Sequence, residues 1–183
     1  MKRFLNKIRN LLFTSYCQFH KVITLGRSYV SGSWPVICNQ GSFHLGRGVC
    51  FRSFRTKTRI DVFKGASLNI GDGCYINDGV NICCSTSITI GTNTKIADWV
   101  VLYDTDFHPI EPTSPVHSES ITLGKNVWIG ARAMILPGSV IGDHSVIAAG
   151  AIVRGHIPAW SIAAGIPAKV IKTFTCDDDW VRP

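Results

Sequence analysis

The sequence predicts an all-β fold, a parallel β-helix of triangular section with a short N-terminal helix and one projecting loop. Three observations predict it. Aliphatic residues recur every six positions at Leu123, Ile129, Ile135, Ile141, Ile147 and Val153, and again at Ile70, Ile76, Ile82 and Ile88. A second short phase runs through Ile90, Ile96 and Leu102. Gly or Ala often follows the aliphatic, as at Gly71, Gly91, Ala97, Gly124, Gly130, Gly142 and Ala148. Neither a helix, with period 3.6, nor a flat strand, with period 2, repeats at six. A chain that turns a corner after each short strand does. Three faces then make an 18-residue coil, and coils stack by parallel pairing at about 4.8 Å.

The chain has 183 residues, which fits one domain. With 45% hydrophobic and 17% charged residues it has the composition of a globular protein. No apolar run approaches the roughly 18 residues of a membrane span. In the N-terminal MKRFLNKIRNLLF, Phe4, Leu5, Ile8, Leu11 and Leu12 share one face at helical spacing, with Lys2, Arg3, Lys7 and Arg9 around it. This amphipathic helix, over residues 1–13, either packs on the domain as a cap or lies on an anionic membrane surface. Residues 1–35 are assigned to helix and cap. The solenoid is assigned to 36–172, with Leu45–Gly46 and Phe51 as a degenerate first coil.

Residues 70–89 make one coil with two extra residues, which accounts for the slip between Ile88 and Ile90. Residues 123–140 and 141–158 read as two uninterrupted coils. Between Leu102 and Leu123 the spacing is 21 residues, so about 103–120 must project as a loop, polar and holding Pro109, Pro112 and Pro115. After 158 the repeat fades, and Lys169-Val-Ile-Lys172 suggests a last strand or short helix. Residues 173–183 form a C-terminal tail, in which Asp177, Asp178 and Asp179 read as a solvated end.

Seven cysteines, none in a C-x-x-C pair, read as free thiols in a reducing cytoplasm, with the inner face of the membrane as the alternative location. The net charge is +7, but the Lys and Arg residues are spread out after residue 64, with no basic helix or aromatic-stacking motif, so phosphate-bearing small molecules or an anionic polymer, not nucleic acid, are the expected partners.

The stretch Ile121–Lys172, with NVWIG and AGIPAK, and the loop motif DTDFH resemble the hexapeptide-repeat acyltransferases. The likeness covers about residues 68–172. Among them it is most similar to the sugar O-acetyltransferases, those acting on maltose and galactosides and on capsule or lipopolysaccharide sugars. The resemblance implies a left-handed β-helix, a hand that ordinary parallel crossovers would not suggest. It also implies acetyl-CoA as acyl donor, no metal and a homotrimer.

The loop motif Asp104-Thr-Asp106-Phe-His108 carries the chemistry. An alcohol is protonated at neutral pH, and imidazole can take its proton and return it within one turnover. The resemblance makes His108 that base. Asp104 or Asp106 then either holds the imidazole tautomer, accepts a hydrogen bond from the acceptor or shapes an Asx turn. By resemblance, Asn77 contacts the acceptor. Ser85 stands where the galactoside enzymes have an Asp, which weakens a simple galactoside acceptor. Trp128 lines the acceptor or pantetheine site by the same reasoning, or is a structural surface residue.

For CoA, the small residues Gly130, Ala131, Ala149 and Gly150 let the pantetheine arm lie along the coil edges. The resemblance implies that Gly165 and Pro167 shape the adenine-side turn and that Lys169, Lys172 and Arg154, the last shifted by one position from the family's basic residue, meet the phosphates. The reading is therefore an O-acetyltransferase acting on a sugar or polysaccharide precursor. Its alternatives are N-acetyl transfer to an amino-sugar nucleotide and a non-catalytic scaffold. A zinc site of the γ-carbonic anhydrase kind is not expected, because no two of the six His lie four or five apart.

Overall fold

The computed structural model describes the backbone of residues 2–183 and side chains from Ile8 onward. The expected faces of Lys2, Arg3, Phe4, Leu5 and Lys7 lie outside the described residues. A helix, α1 (Lys2–Phe19), leads into a left-handed parallel β-helix. The first coil is β1 (Val22–Thr24), β2 (Tyr29–Gly32) and β3 (Val36–Asn39). The second is β4 (Ser42–Leu45), β5 (Cys50–Ser53) and β6 (Arg59–Val62), and the third is β7 (Ser67–Ile70), β8 (Tyr75–Ile76) and β9 (Asn81–Cys84). The fourth is β10 (Ser87–Ile90), β11 (Lys95–Ile96) and β12 (Val101–Tyr103). After the loop come β13 (Ile121–Leu123), β14 (Trp128–Ile129) and β15 (Met134–Ile135), then β16 (Val140–Ile141), β17 (Val146–Ile147) and β18 (Ile152–Val153). The partial last coil is β19 (His156–Ile157) and β20 (Ser161–Gly165), closed by β21 (Ala168–Thr173).

Each coil contributes one strand to each of three sheets. The first sheet runs β1 to β19 in steps of three. The second runs β2 to β20 and ends on β21, which pairs antiparallel with β20. The third runs β3 to β18. The expected 20-residue coil is present, because Ile70 pairs with Ile90, but Ile88 and Ile90 stay in continuous register with Leu68 and Ile70, so the two extra residues lie earlier, between Ile82 and Ser87, in the stretch that holds buried Cys83 and Cys84. Ile90 pairs with Leu123, so the loop interrupts the chain without breaking the stack.

Two further expectations need correction. The solenoid starts at Val22, not at residue 36, since β1 and β2 pair in parallel with β4 and β5. Their outward positions carry Ile23 and Tyr29, which hid the pattern. The coil from Ile141 is also shorter than 18 residues, because Ile141 pairs with Ile157. Arg154 and Gly155, with Gly155 at φ +88, turn that corner in fewer residues.

The inward aliphatics, from Val30 to Ala163, form one continuous buried column. Each large member contributes about 1.5–3 kcal/mol by leaving water. Small polar side chains close the corners. Ser145 Oγ donates to Pro158 O (2.7 Å) and accepts from Ser161 N (3.3 Å). Thr94 Oγ donates to Gly124 O (2.9 Å) and accepts from Val127 N (3.1 Å). Without these hydroxyls the corner groups would be buried and unpaired. At the N-terminal end, α1 seals the prism with Phe13 and Cys17. Phe13 meets Phe51 edge-on at 5.8 Å and Trp34 at 6.0 Å.

Candidate active site

The prism has two edges that matter. The Asn77 edge holds the corners between the second and third sheets. The loop edge holds the corners between the third sheet and the first. The third sheet lies between them.

At the loop edge, Asp104 fixes where the insertion leaves the prism. Its buried carboxylate accepts Ser85 N (2.6 Å), Thr86 N (2.8 Å) and Thr86 Oγ (2.9 Å) from the coil before it. A short antiparallel stem follows. Glu119 N donates to Asp104 O, Asp106 N donates to His117 O, and Ser118 Oγ donates to Thr105 Oγ at 2.7 Å. Above this stem Phe107 takes φ +62, a region costly for a bulky side chain, and packs edge-on against Tyr103 at 5.4 Å. Asn81 Nδ2 donates to the Tyr103 hydroxyl (2.7 Å), so the contact rests on a fixed ring.

The strained turn delivers His108. Its N–H donates to Asp106 O (2.8 Å), and the residue is exposed. Its imidazole has no hydrogen-bond partner among the described residues. Neither aspartate holds it in this chain. Asp104 is spent on Ser85 and Thr86. Asp106 faces Arg154 Nη2 (3.4 Å) and His117 Nδ1 (3.4 Å) instead. His117, which sequence reasoning passed over, also approaches Glu119 (3.5 Å). Ile110, Glu111, Ser114, Pro115, His117 and Arg154 line a cavity of about 420 Å³ beside it. Only the folding of the stem brings residues 106, 117 and 119 together with 154, so no local spacing could have marked them.

At the other edge, Asn77 Oδ1 accepts from Arg52 Nη1 (3.1 Å). Next to it Asp78 is buried and accepts Arg55 N (2.8 Å) and Thr56 N (3.3 Å), which ties the 53–58 corner to the following coil. Burial alone pushes the Asp78 carboxyl up. The N–H groups of Arg55, Thr56 and Phe54 and the Arg55 charge more than offset it, and hold the group below the usual carboxylate range. Arg55 continues to Asp98 one coil on.

Gly130 and Ala131 stack over Ala149 and Gly150 on this same edge. A Cβ at Gly130 would meet Ala149 N at 2.5 Å, so coil stacking requires glycine there. Gly150, at φ +71, faces open space. Arg154 does not join this group. It sits at the loop edge with Asp106, because the short corner after β18 carries it there.

Trp128 is half-exposed on the second sheet, between Lys95 and Val146. Gly165 and Pro167 make the hairpin into β21, and the exposed Lys169 and Lys172 lie on that strand, opposite Ala164 and Ile162. The last strand is therefore β, which settles the strand-or-helix alternative.

The tail is solvated at its three aspartates and bound beyond them. Asp177–Asp179 are exposed, but the chain then returns to this sheet. Asn126 Nδ2 donates to Trp180 O (2.8 Å) and Arg182 N donates to Asn126 Oδ1 (2.9 Å). The Arg182 guanidinium lies 4.8 Å from the Trp180 ring and 5.7 Å from Trp128. Cation–π attraction and a buried amide recapture a segment whose composition reads as solvated.

Residues 120–155 match the family model for the bacterial transferase hexapeptide (six repeats). A relative from Escherichia coli (strain K12) carrying the name lipopolysaccharide biosynthesis O-acetyl transferase WbbJ is 33% identical over 150 residues, 75% of each chain. The galactoside O-acetyltransferase of the same organism is 41% identical over 117 residues, 62% of this chain and 58% of its own. Among solved structures, the N-acyltransferase AntD from Bacillus cereus, in complex with dTDP and 3-hydroxybutyryl-CoA, superposes with a TM-score of 0.74. It is 22% identical over 88% of both chains, a likeness of fold. With a coil repeat, a loop insertion and a relative matched over three quarters of its length, this chain belongs to the hexapeptide-repeat acyltransferase family.

Proposed function

We propose that this chain transfers an acetyl group from acetyl-CoA to a hydroxyl of a sugar or polysaccharide precursor, with His108 as general base. The observation that carries this is the unpartnered, exposed His108 imidazole, held on a stem tied to the prism by Asp104. The likeness to WbbJ supports a glycan acceptor.

In the reaction, His108 takes the acceptor hydroxyl proton while the oxygen attacks the thioester carbonyl. The tetrahedral adduct collapses, the C–S bond breaks, and protonated His108 returns the proton to the CoA sulfur. No acyl-enzyme forms. The pantetheine arm lies along the Gly130–Ala131 and Ala149–Gly150 steps, with Gly165 and Pro167 shaping the turn at its adenine end. Lys169 and Lys172 meet the phosphates as point charges. Asn77 and Trp128 receive the acceptor, and Ser85 and Asp104 set the base of the loop. Asp106 and Arg154 position the stem.

His108 and Asn77 lie on different edges, separated by the width of the third sheet. A site using both needs the Asn77 edge of a second copy beside the loop, and three copies close such a contact into a ring. The proposed functional unit is the homotrimer that the family resemblance implies, with three sites shared between neighbouring copies.

CoA-thiol release over a panel of hydroxyl and amine acceptors tests the reaction. His108→Ala should lower kcat by about 10²–10⁴ while acetyl-CoA affinity is retained. Full activity in that variant, or turnover of amines only, rejects the assignment. Mixing inactive His108→Ala and Asn77→Ala chains, unfolded and refolded together, tests the shared site. Activity returns if the two residues come from different copies, and stays absent if they act within one.

A further inference from the structure

One face of α1 seals the prism, and the opposite face is also apolar. Ile8, Leu11, Leu12 and Phe19 are 42%, 71%, 52% and 82% exposed, and with Ser15 they fall at 8, 11, 12, 15 and 19, a single stripe. This stripe points away from buried Phe13 and Cys17. The strand that packs against α1 adds Ile23, and Leu25 follows it, both more than half exposed. The face that the sequence marked as hydrophobic is thus the one left in water.

Charge singles out the same end. Residues 1–60 carry 11 of the 19 Lys and Arg and none of the 12 Asp and Glu, while residues 61–183 carry the other 8 basic residues and all 12 acidic ones. The first segment stands at +11 and the remainder at −4. Exposed Lys21 and Arg27 flank the stripe, with no carboxylate partner among the described residues. Arg47, Arg52, Arg55 and Arg59 are matched by Asp72, Asp78, Asp98 and Asp61, so the unmatched excess lies mainly in α1 and the first coil, and two copies meeting through this end would set like charges face to face. No helix among the described residues is long and apolar enough to cross a membrane. An apolar stripe framed by uncompensated cations fits a surface that offers both acyl chains and anionic headgroups.

We propose that the α1 end of the prism docks on an anionic lipid bilayer, with Leu11, Leu12 and Phe19 entering the acyl boundary and Lys21 and Arg27 meeting lipid phosphates. This surface is independent of the acetyl-transfer reading and stands even if the acceptor differs. Where both hold, the acceptor belongs to the class of membrane-anchored glycans.

The test is co-sedimentation of the full chain with vesicles of phosphatidylcholine alone or with about 30% phosphatidylglycerol, whose negative surface potential attracts basic segments. At ~0.1 M salt, where the Debye length is about 10 Å, the protein should pellet with the anionic vesicles and stay in solution with the neutral ones. Leu11→Ser/Leu12→Ser/Phe19→Ser should cut binding about tenfold or more, as expected when the apolar face drives insertion. Lys21→Glu/Arg27→Glu should release the protein at lower salt. The residues changed are exposed, so thermal melting should be unaltered, and acetyl-CoA binding is read separately. Equal pelleting with both vesicle types, or undiminished binding of the triple variant, overturns the proposal. So does failure to bind vesicles, including the case of a concentration-dependent mass increase that the triple variant abolishes, which would assign the stripe to a second copy.

Discussion

The carboxylate of Asp104 clamps Thr86 across the gap between two coils, accepting both its N–H (2.8 Å) and its hydroxyl (2.9 Å). This contact fixes the root of the loop from which His108 projects.

Asp104→Ala should therefore act on stability and catalysis together. It removes three hydrogen bonds from Ser85 and Thr86 to a buried carboxylate, a loss of about 1–3 kcal/mol because those two residues are themselves partly or fully open to water. For a chain of this size that lowers Tm by roughly 2–12 °C. Scanning calorimetry measures the first effect and CoA release the second. A variant with lowered Tm and full activity would separate the clamp from His108.

Asp78 makes the protein acid-sensitive. Its native pKa is depressed, so its contribution is complete above the unfolded carboxylate value of about 3.9 and fades as pH falls through the native one. Asp78→Asn should melt below wild type at neutral pH, and the two curves should converge toward acid. A gap in Tm that stays constant with pH would contradict this account.

Thiol reactivity should follow burial. Burial pushes Cys17, Cys74 and Cys84 up to about 12 and Cys83 up to about 11, while Cys38 is exposed. Alkylation at pH 8 followed by mass spectrometry should label Cys38 first and leave these four unmodified until denaturant is added. Rapid native labelling of Cys83 or Cys84 would show that the third coil opens at its slip.

Acetyl-CoA should stabilise the fold through β21. At about 100 times Kd a ligand adds ~2.7 kcal/mol, roughly 5–11 °C here. Lys169→Ala/Lys172→Ala should shrink that shift without changing the Tm of the free protein, since both side chains are exposed. An undiminished shift would move the phosphate contacts elsewhere.

The solenoid was legible because its interior accepts one aliphatic per face, and Ile70 through Val153 record that rule directly. The first coil was not, since Ile23, Leu25 and Tyr29 put apolar residues outside as well as inside and blur the alternation. The loop could be read as a gap in spacing, and His108 as its reactive group. Its support could not. Asp104 is satisfied by two residues 18 and 19 positions earlier, and Asp106 by His117 and Arg154, which only stacking brings near. The solvated Asp177–Asp179 could be read from composition, while the return of Trp180 and Arg182 to Asn126 and Trp128 could not, because it rests on contacts more than fifty residues apart.

The loop leaves the prism between the fourth and fifth coils, and α1 closes the first. Each coil returns the chain to the same angular position one spacing higher, so the solenoid works as a ruler. Three spacings of about 4.8 Å put the root of the loop roughly 14 Å above the first coil. Inserting or deleting one whole coil below the loop, 20 to 25 residues there as the pairs Val22–Phe43, Leu45–Ile70 and Ile70–Ile90 show, would raise or lower His108 by one rung without turning it. Reach along the axis and the chemistry at the edge are thus separate variables in this fold, and a change in one leaves the other in place.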